Sequence, residues 1–509
     1  MTEYVIGCDV GSQGTNAALY DADGALTASA YEPYEVQFPR PGWAEQDPRL
    51  WDEAIRRACG RLVTSLDGDA GGIRAISFGS QLDGQVPIDG SGTPLRPCLI
   101  WMDRRAEAQA ASLAERLAPE RFYELSGANL DSSHGVFKVL WVRDEEPEVF
   151  ERAKRFVTPG TYAVWSACGE LCVDASNASS VALLDPRTRS WSGELLDALG
   201  LDESSLVPVV PGTERVGTIN PEFASATGLP SSTAVVVGCG DEMAATLGAG
   251  VYAQGEVCDV VGTAEPVCAA SAEPHADPTM LVECHPHADP ESWLMENPGF
   301  VSGGNLRWFR DHLGGVEREV EAAGGGDAYD LLCREGEHVA PGADGLTFLP
   351  CMQGAMAPEW NGAARGVFFG LTLAHTRAHM LRAVLEGSAF ALRDILEAMH
   401  AAGLEPRRLT IVGGGARGKL WRQIKSDVTG LPVRVPREVE TTAGGAAVLA
   451  AVGCGLYSSC AEAAESFVDF EPNEHRPDTA AREAYDRAYR VYRDVYAAAK
   501  PVFERYANV

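Results

Sequence analysis

The sequence predicts an α/β protein of two domains built on a repeated plan, and three observations carry that expectation. At 509 residues the chain exceeds the roughly 250–300 residues at which single cores stop growing. Two hairpins with glycine and hydroxyl residues at their tips open its two halves, one through DVGSQGT at 9–15 and one through VGTA at 261–264. Between them, residues 235–249 (VVVGCGDEMAATLGA) read as an apolar strand that stops at glycines and places Asp241 where a helix begins.

That last stretch organises the rest. Strand-to-helix corners in α/β proteins face the crevice outside the carboxyl ends of the strands, where a short carboxylate can take a proton from a bound hydroxyl. Asp is also a favoured helix cap, and from this stretch alone capping and catalysis stand level.

Composition narrows the classes. A hydrophobic content of 45% is that of a globular enzyme. The balance of 42 basic against 72 acidic residues, a formal charge of −30, argues against nucleic-acid and anionic-membrane partners because the overall field repels phosphates. One phosphate ligand held by backbone N–H groups and a divalent cation stays compatible with that field. The thirteen cysteines show no zinc or thioredoxin spacing and read as free thiols of a reducing cytoplasm. The start MTEYVIGCDV has no secretory pattern, and no apolar run has the length of a membrane span. Oligomeric state is left open, a homodimer included.

In chain order, residues 4–8 and 16–20 form the arms of the first hairpin. Gly11 allows close backbone approach, while Ser12, Gln13 and Thr15 offer donors, so the tip suits phosphate oxygens; Asp9 could orient a magnesium ion. Most such tips are only turns. The paired tips suggest two halves gripping one nucleotide. Residues 73–84 run from a strand into a loop with Gln81, Leu82 and Asp83, and residues 95–105 bring Trp101, Asp103 and Arg104 to a strand end. An aromatic face beside carboxylates and guanidinium groups suits a polyol, against the alternative of a core Trp beside a surface ion pair.

Residues 137–142 continue a helix, 156–160 enter a loop, 174–179 (DASNAS) form a polar loop, and 194–226 wander over the surface. Gly303 opens a helix at 301–310. Residues 376–400 form a long core helix in which Glu386 pairs locally. The strand at 409–412 runs into three glycines, Gly413, Gly414 and Gly415, then Ala416, Arg417 and Lys419, a turn that lets a flat ligand approach. Residues 442–452 form a small-residue helix, and 480–506 a charged surface helix.

The ordered set DVGSQGT, SQLDG, LIWMDRR, DASNAS, GCGDEM, VGT, SGGNLRWF, GVFFGLT with AVLEGSAFAL, and IVGGGARGKLWRQI resembles the FGGY family of carbohydrate kinases, closest to its xylulokinase-like members, over nearly the whole chain. The resemblance implies a two-lobed, actin-like ATPase (ribonuclease H-like) fold, each lobe a mixed sheet flanked by helices, with the active site in the interlobe cleft. It divides the chain into a sugar-binding lobe at 1–248, a nucleotide-binding lobe at 249–475 and a helical extension at 476–509. It implies ATP and Mg2+, a small sugar or polyol as acceptor, a pentulose such as xylulose foremost, and Asp241 as general base and, with Asp9, metal ligand. Gln81, Leu82, Asp83, Trp101, Asp103, Arg104 and Glu242 would line the sugar. Gly11, Ser12, Gln13, Thr15, Gly262, Thr263, Gly303, Gly414, Gly415, Ala416, Arg417 and Lys419 would line the nucleotide.

The chain departs from the family pattern at three points. Asp83 stands where xylulokinases usually carry His, residues 353–358 (QGAMAP) replace a Gly-Glu-Arg-x-Pro pattern, and Asn16 replaces a common Lys or Arg. The first two of these departures motivate the alternative of a catalytically altered, actin-like nucleotide-binding or regulatory protein.

Overall fold

A computed structural model describes residues 2–67, 70–438 and 440–505. Tyr4–Val10 and Gly14–Asp21 pair antiparallel around the first glycine tip, as expected, and Leu26–Pro33 adds a third strand. Ile73–Ser80 then joins the other side of Tyr4–Val10 in parallel, followed outward by Ala234–Val236 and Arg215–Thr218. The second sheet repeats this plan. Glu256–Val260 and Ala264–Ser271 form the hairpin, Trp293–Val301 the third strand, and Arg408–Val412 and Val433–Arg434 the parallel strands on the other side. Glu283–Pro286 extends it at the far edge.

Asp241–Gly248 and Thr442–Gly453 lie together between the sheets. Their contact has almost no room for side chains. A Cβ on Gly248 would stand 2.0 Å from the Thr441 carbonyl oxygen, and one on Gly445 would stand 1.9 Å from that of Ala244. Thr442–Gly453 follows the second sheet in sequence but packs on the first, where its Ala443, Ala447 and Ala450 meet Val5, Ala18 and Val236.

Several segments differ from expectation. Residues 174–179 are not a loop: Asp174 caps the helix Ala175–Ser180 by accepting from the N–H groups of Ser176 and Asn177. The residues after Val157 form the helix Pro159–Cys168, capped by Thr158. Residues 194–226 hold two helices, Gly193–Leu199 and Pro221–Thr227, and the edge strand Arg215–Thr218. Thr479–Arg505 is the expected surface helix with its charged face exposed, and Tyr485, Tyr492 and Phe503 on its other face seat it on the core of the second lobe; Tyr506, its expected end, lies outside the described residues. The core helix Arg377–Ala401 is as expected, with Glu386 accepting from Arg382 at 2.7 Å. All thirteen cysteines are free, most of them buried. Among the described residues no helix is long and apolar enough to cross a membrane.

Candidate active site in the interlobe cleft

Asp241 is the first residue of its helix, one past the cap position held by Gly240, and among the described residues its Oδ1 accepts only from the adjacent Glu242 N–H, at 3.0 Å. Capping therefore does not account for it. Its carboxylate lines a cavity of about 470 Å³ together with Ser12, Asp83, Trp101, Glu242 and Glu283, a size within the usual range for small-molecule sites. Desolvation in the cleft, then the Glu242 and Asp9 carboxylates, push its pKa well above the ordinary range. Asp9 is raised to about 7 by desolvation and by Glu440. Two hard oxygen donors that feel each other's charge, with no cation paired to either among the described residues, form a donor set that fits Mg2+.

The polar wall of the cavity is a connected chain. The backbone at Asp83 is left-handed, with φ of 60°, a conformation Asp tolerates better than most residues. Its Oδ1 is 3.3 Å from His134 Nδ1, and His134 Nε2 lies 3.7 Å from Glu283 Oε1. Glu283 Oε2 is 3.2 Å from His285 Nε2, and His285 Nδ1 is 2.8 Å from Ser179 Oγ. Burial alone would lower His134, but the Asp83 and Glu283 carboxylates beside it carry it well above its ordinary value. Burial would raise Glu283, but His134 and His285 hold it well below the usual carboxylate range. Beyond this chain Glu242, Glu296 and Cys268 place ligand atoms within 4.8 Å of one another. Burial pushes all three toward their protonated forms, which suits hydrogen bonds to hydroxyl groups.

Not every expected sugar ligand is there. Leu82, Asp83, Trp101, Arg104, Asp241 and Glu242 line the cavity. Asp103 does not: it is fully buried, accepts from the Ala44 N–H at 2.6 Å and ion-pairs with Arg105, whose guanidinium stacks 3.6 Å over Trp43. That is a core ion pair holding the loop. Gln81 is likewise buried and supports the first tip, donating to Gln46 at 2.8 Å and to the Gly11 carbonyl at 3.3 Å. Thr15 is fully buried with its hydroxyl 3.3 Å from that of Tyr34, so it braces the tip from behind. Ser12, which receives the Trp101 indole N–H at 2.8 Å, is the tip residue that lines the cavity, while Gln13 is exposed.

The nucleotide-side residues converge through the backbone. Thr263 O accepts from Ser302 and Gly304, and Val261 O accepts from Gly415 at 3.0 Å. A Cβ on Gly303 would stand 2.1 Å from the Gly262 carbonyl oxygen, so only glycine allows this approach. Gly262, Thr263, Gly414, Arg417 and Lys419 remain exposed around the junction. Ala416 does not: it is buried, with its carbonyl taken by Arg422. Ala264, next to Thr263, lines the cavity, so the two constellations adjoin.

Comparison with known proteins gives the arrangement a family. Residues 4–248 match the N-terminal domain, and residues 259–454 the C-terminal domain, of the FGGY family of carbohydrate kinases. The chain belongs to that family. This FGGY kinase is 31% identical to a gluconokinase of Bacillus subtilis over 90% of its length and 88% of the relative's. It is 27% identical to a xylulose kinase of the same organism, over 98% and 97% of the two chains. A xylulose kinase from Lactobacillus acidophilus superposes on it with a TM-score of 0.91 at 25% identity, covering 99% of this chain and 100% of the other. The fold is the two-lobed actin-like ATPase fold, and the enzyme is a phosphotransferase with an alcohol group as acceptor.

Sequence reasoning missed the histidine wall of this kinase. His134 precedes a helix with nothing to mark it. Glu283 and His285 did carry a signal: in VECHPH, ionisable residues alternate with apolar ones through a strand, which puts both on one face. Trp360 was passed over in the loop that lacks Gly-Glu-Arg. It lines the cavity and donates to Leu281 O at 3.2 Å, while Asn297 donates to Met356 O at 3.0 Å. These bonds tie the loop to the second sheet and the segment before it.

Proposed function

We propose that this kinase transfers the γ-phosphoryl group of ATP to a hydroxyl of a small sugar or polyol, a pentulose such as xylulose, with Asp241 as general base. The observation that carries the reading is the place of Asp241: a carboxylate free of capping duty, lining the cavity that adjoins the nucleotide-side glycines. Phosphoryl transfer needs in-line positioning and charge neutralisation more than covalent help from the protein. The acceptor hydroxyl would give its proton to Asp241 as its oxygen attacks. Ser12 and the exposed backbone at Thr263 would hold the phosphate oxygens from the two lobes, with the Gly262 N–H spent inside the turn on Ala264 O. Asp9 and Asp241 would hold Mg2+, which supplies positive charge to the transferring group.

The wall favours an uncharged acceptor. Asp83, Asp131 and Glu283 face the cavity, and the guanidinium there, Arg104, is already ion-paired with Asp131. A sugar carboxylate would meet repulsion from these groups, because the two basic side chains of the wall, Arg104 and His134, are already engaged, one by Asp131 and the other by Asp83 and Glu283.

Asp241→Asn is expected to lower turnover by about 10³-fold or more while ADP binding and thermal stability stay near those of the parent. Turnover within threefold of the parent would remove the base assignment. A panel of D-xylulose, glycerol and D-gluconate, read as acceptor-dependent ADP release, separates the substrate classes.

A further inference from the structure

The two sheets place an aspartate at the same point. Asp9 pairs in register with Gly79, the next-to-last residue of its parallel neighbour, and Asp259 pairs with Ile411 in the corresponding place. In the first lobe that carboxylate has no cation partner among the described residues. In the second it is wholly buried and neutralised: Lys425 Nζ lies 2.5 Å from Asp259 Oδ2 and 2.9 Å from Glu265 Oε1, and all three side chains are at most 1% exposed. Glu265 in turn receives the Ser302 hydroxyl. Burial raises Glu265 to about 8, and Lys425 sits above its ordinary value despite burial because the two carboxylates face it.

The four residues of this node come from the four segments that meet behind the second tip. Asp259 leads into the tip and Glu265 leaves it. Ser302 precedes Gly303, and Lys425 sits in Lys419–Thr429, the helix that follows the glycine turn. The exposed face of the junction is made of glycine backbone, which has no side chains to fix its shape. A buried ion cluster is a costly way to gain stability, since an apolar replacement of similar volume often does as well, but it fixes geometry because each charge tolerates few arrangements.

We propose that Lys425, with Asp259 and Glu265, is a positioning residue for the nucleotide: the buried charge node sets the spacing of the Gly262–Thr263 tip, the Gly303 turn and the Gly414–Arg417 turn that together receive the phosphates and base. This rests on the nucleotide reading of the second tip. It assigns the pseudo-equivalent aspartates opposite tasks, one open to a cation in the cleft and one consumed in shaping the opposite wall.

The test compares four full-length proteins by calorimetric titration with Mg·ADP, by KM for ATP and for the acceptor, and by melting temperature. Lys425→Met leaves two buried carboxylates uncompensated, and is expected to raise the Mg·ADP dissociation constant about tenfold or more and to lower the melting temperature. The neutral triple variant Asp259→Asn, Lys425→Met, Glu265→Gln removes the charges together. It is expected to recover the melting temperature but not the nucleotide affinity, with KM for the acceptor within twofold of the parent. A triple variant that binds Mg·ADP as the parent does would overturn the proposal, and so would a folded Lys425→Met protein with parental affinity. Gly262→Val is the control on the tip itself, where a larger side chain would occupy the ligand's approach. If it binds Mg·ADP normally, or the parent binds none, the nucleotide reading is what fails; if it loses binding while the charge variants keep it, the failure is the node's alone.

Discussion

Asp83 and His134 form a unit that neither residue shows alone. The resemblance puts a histidine at position 83, and the aspartate found there turns a donor into an acceptor. The fold brings His134 against it from the start of the helix Gly135–Glu145, with its Nε2 turned toward Glu283 at 3.7 Å in the cavity wall. The donor is thus restored from a different segment. His134→Gln is expected to raise the acceptor KM about tenfold with KM for ATP unchanged, and the exchange Asp83→His with His134→Asp to recover most of that loss. An exchange variant no better than either single change would show that the pair is not read as one group.

A second histidine sets an acid limit. His287 is buried, and its Nδ1 accepts the Asp289 N–H at 3.0 Å, which requires that nitrogen to be unprotonated. Burial lowers its pKa to about 4. A folded-state pKa below the unfolded value of about 6.5 means that the unfolded chain binds more protons between the two, so stability is complete above pH 6.5 and is lost as pH falls toward 4. His287→Asn keeps an acceptor without the titration. The drop in unfolding free energy between about pH 7.5 and 5 should shrink by about 2 kcal/mol in that variant, measured by urea titration; an unchanged drop would assign the acid sensitivity to other groups.

At the scale of elements, the hairpins and the corner at Asp241 were legible because their signals are local: β-branched arms, glycine tips, and a turn into a helix. The errors were also local. In DASNAS, a composition typical of turns became a helix because Asp174 caps it and its Ser and Asn side chains are buried against neighbours. Thr479–Arg505 was legible as a charged surface helix, but its charges hid the tyrosine stripe that seats its other face on the core.

The helix Thr442–Gly453 makes the tightest of these contacts. A Cβ on Gly7 would stand 1.9 Å from the Ala443 carbonyl oxygen and 2.6 Å from the Ala447 nitrogen. Gly7→Ala should therefore cost about 3 kcal/mol of unfolding free energy, since backbone atoms cannot move aside as a flexible side chain could. A loss below about 0.5 kcal/mol in urea would mean that the helix is seated more loosely on the first sheet than these distances imply.

At the scale of the whole molecule, the lobes meet through more than the cleft. The Tyr123 hydroxyl donates to Val282 O at 2.7 Å, Cys284 N–H donates to Gly127 O at 2.9 Å, and Asn129 N–H donates to Glu283 at 2.7 Å. The edge strand Glu283–Pro286 of the second sheet is thereby tied to the first lobe, which is how a second-lobe glutamate comes to line the same cavity as Asp83. The formal charge of −30 works against such compactness. Because self-repulsion is long-range and screened, the melting temperature should rise by a few degrees between about 0.02 and 0.3 M KCl. A flat or falling curve would show that the acidic excess is already compensated by local ion pairs.

From residue order alone came the repeated α/β plan, the two tips, the family and the prominence of Asp241, since each depends on neighbours along the chain or on motifs in sequence. Only the folded molecule decided which polar residues face ligand. It turned Asp103, Gln81 and Thr15 inward as braces, brought His134, Glu283 and His285 to the cavity, and buried Lys425 between two carboxylates. Whether a side chain is solvated, spent on another residue or left open is settled by groups that lie far away in sequence, and spacing along the chain carries no measure of that distance.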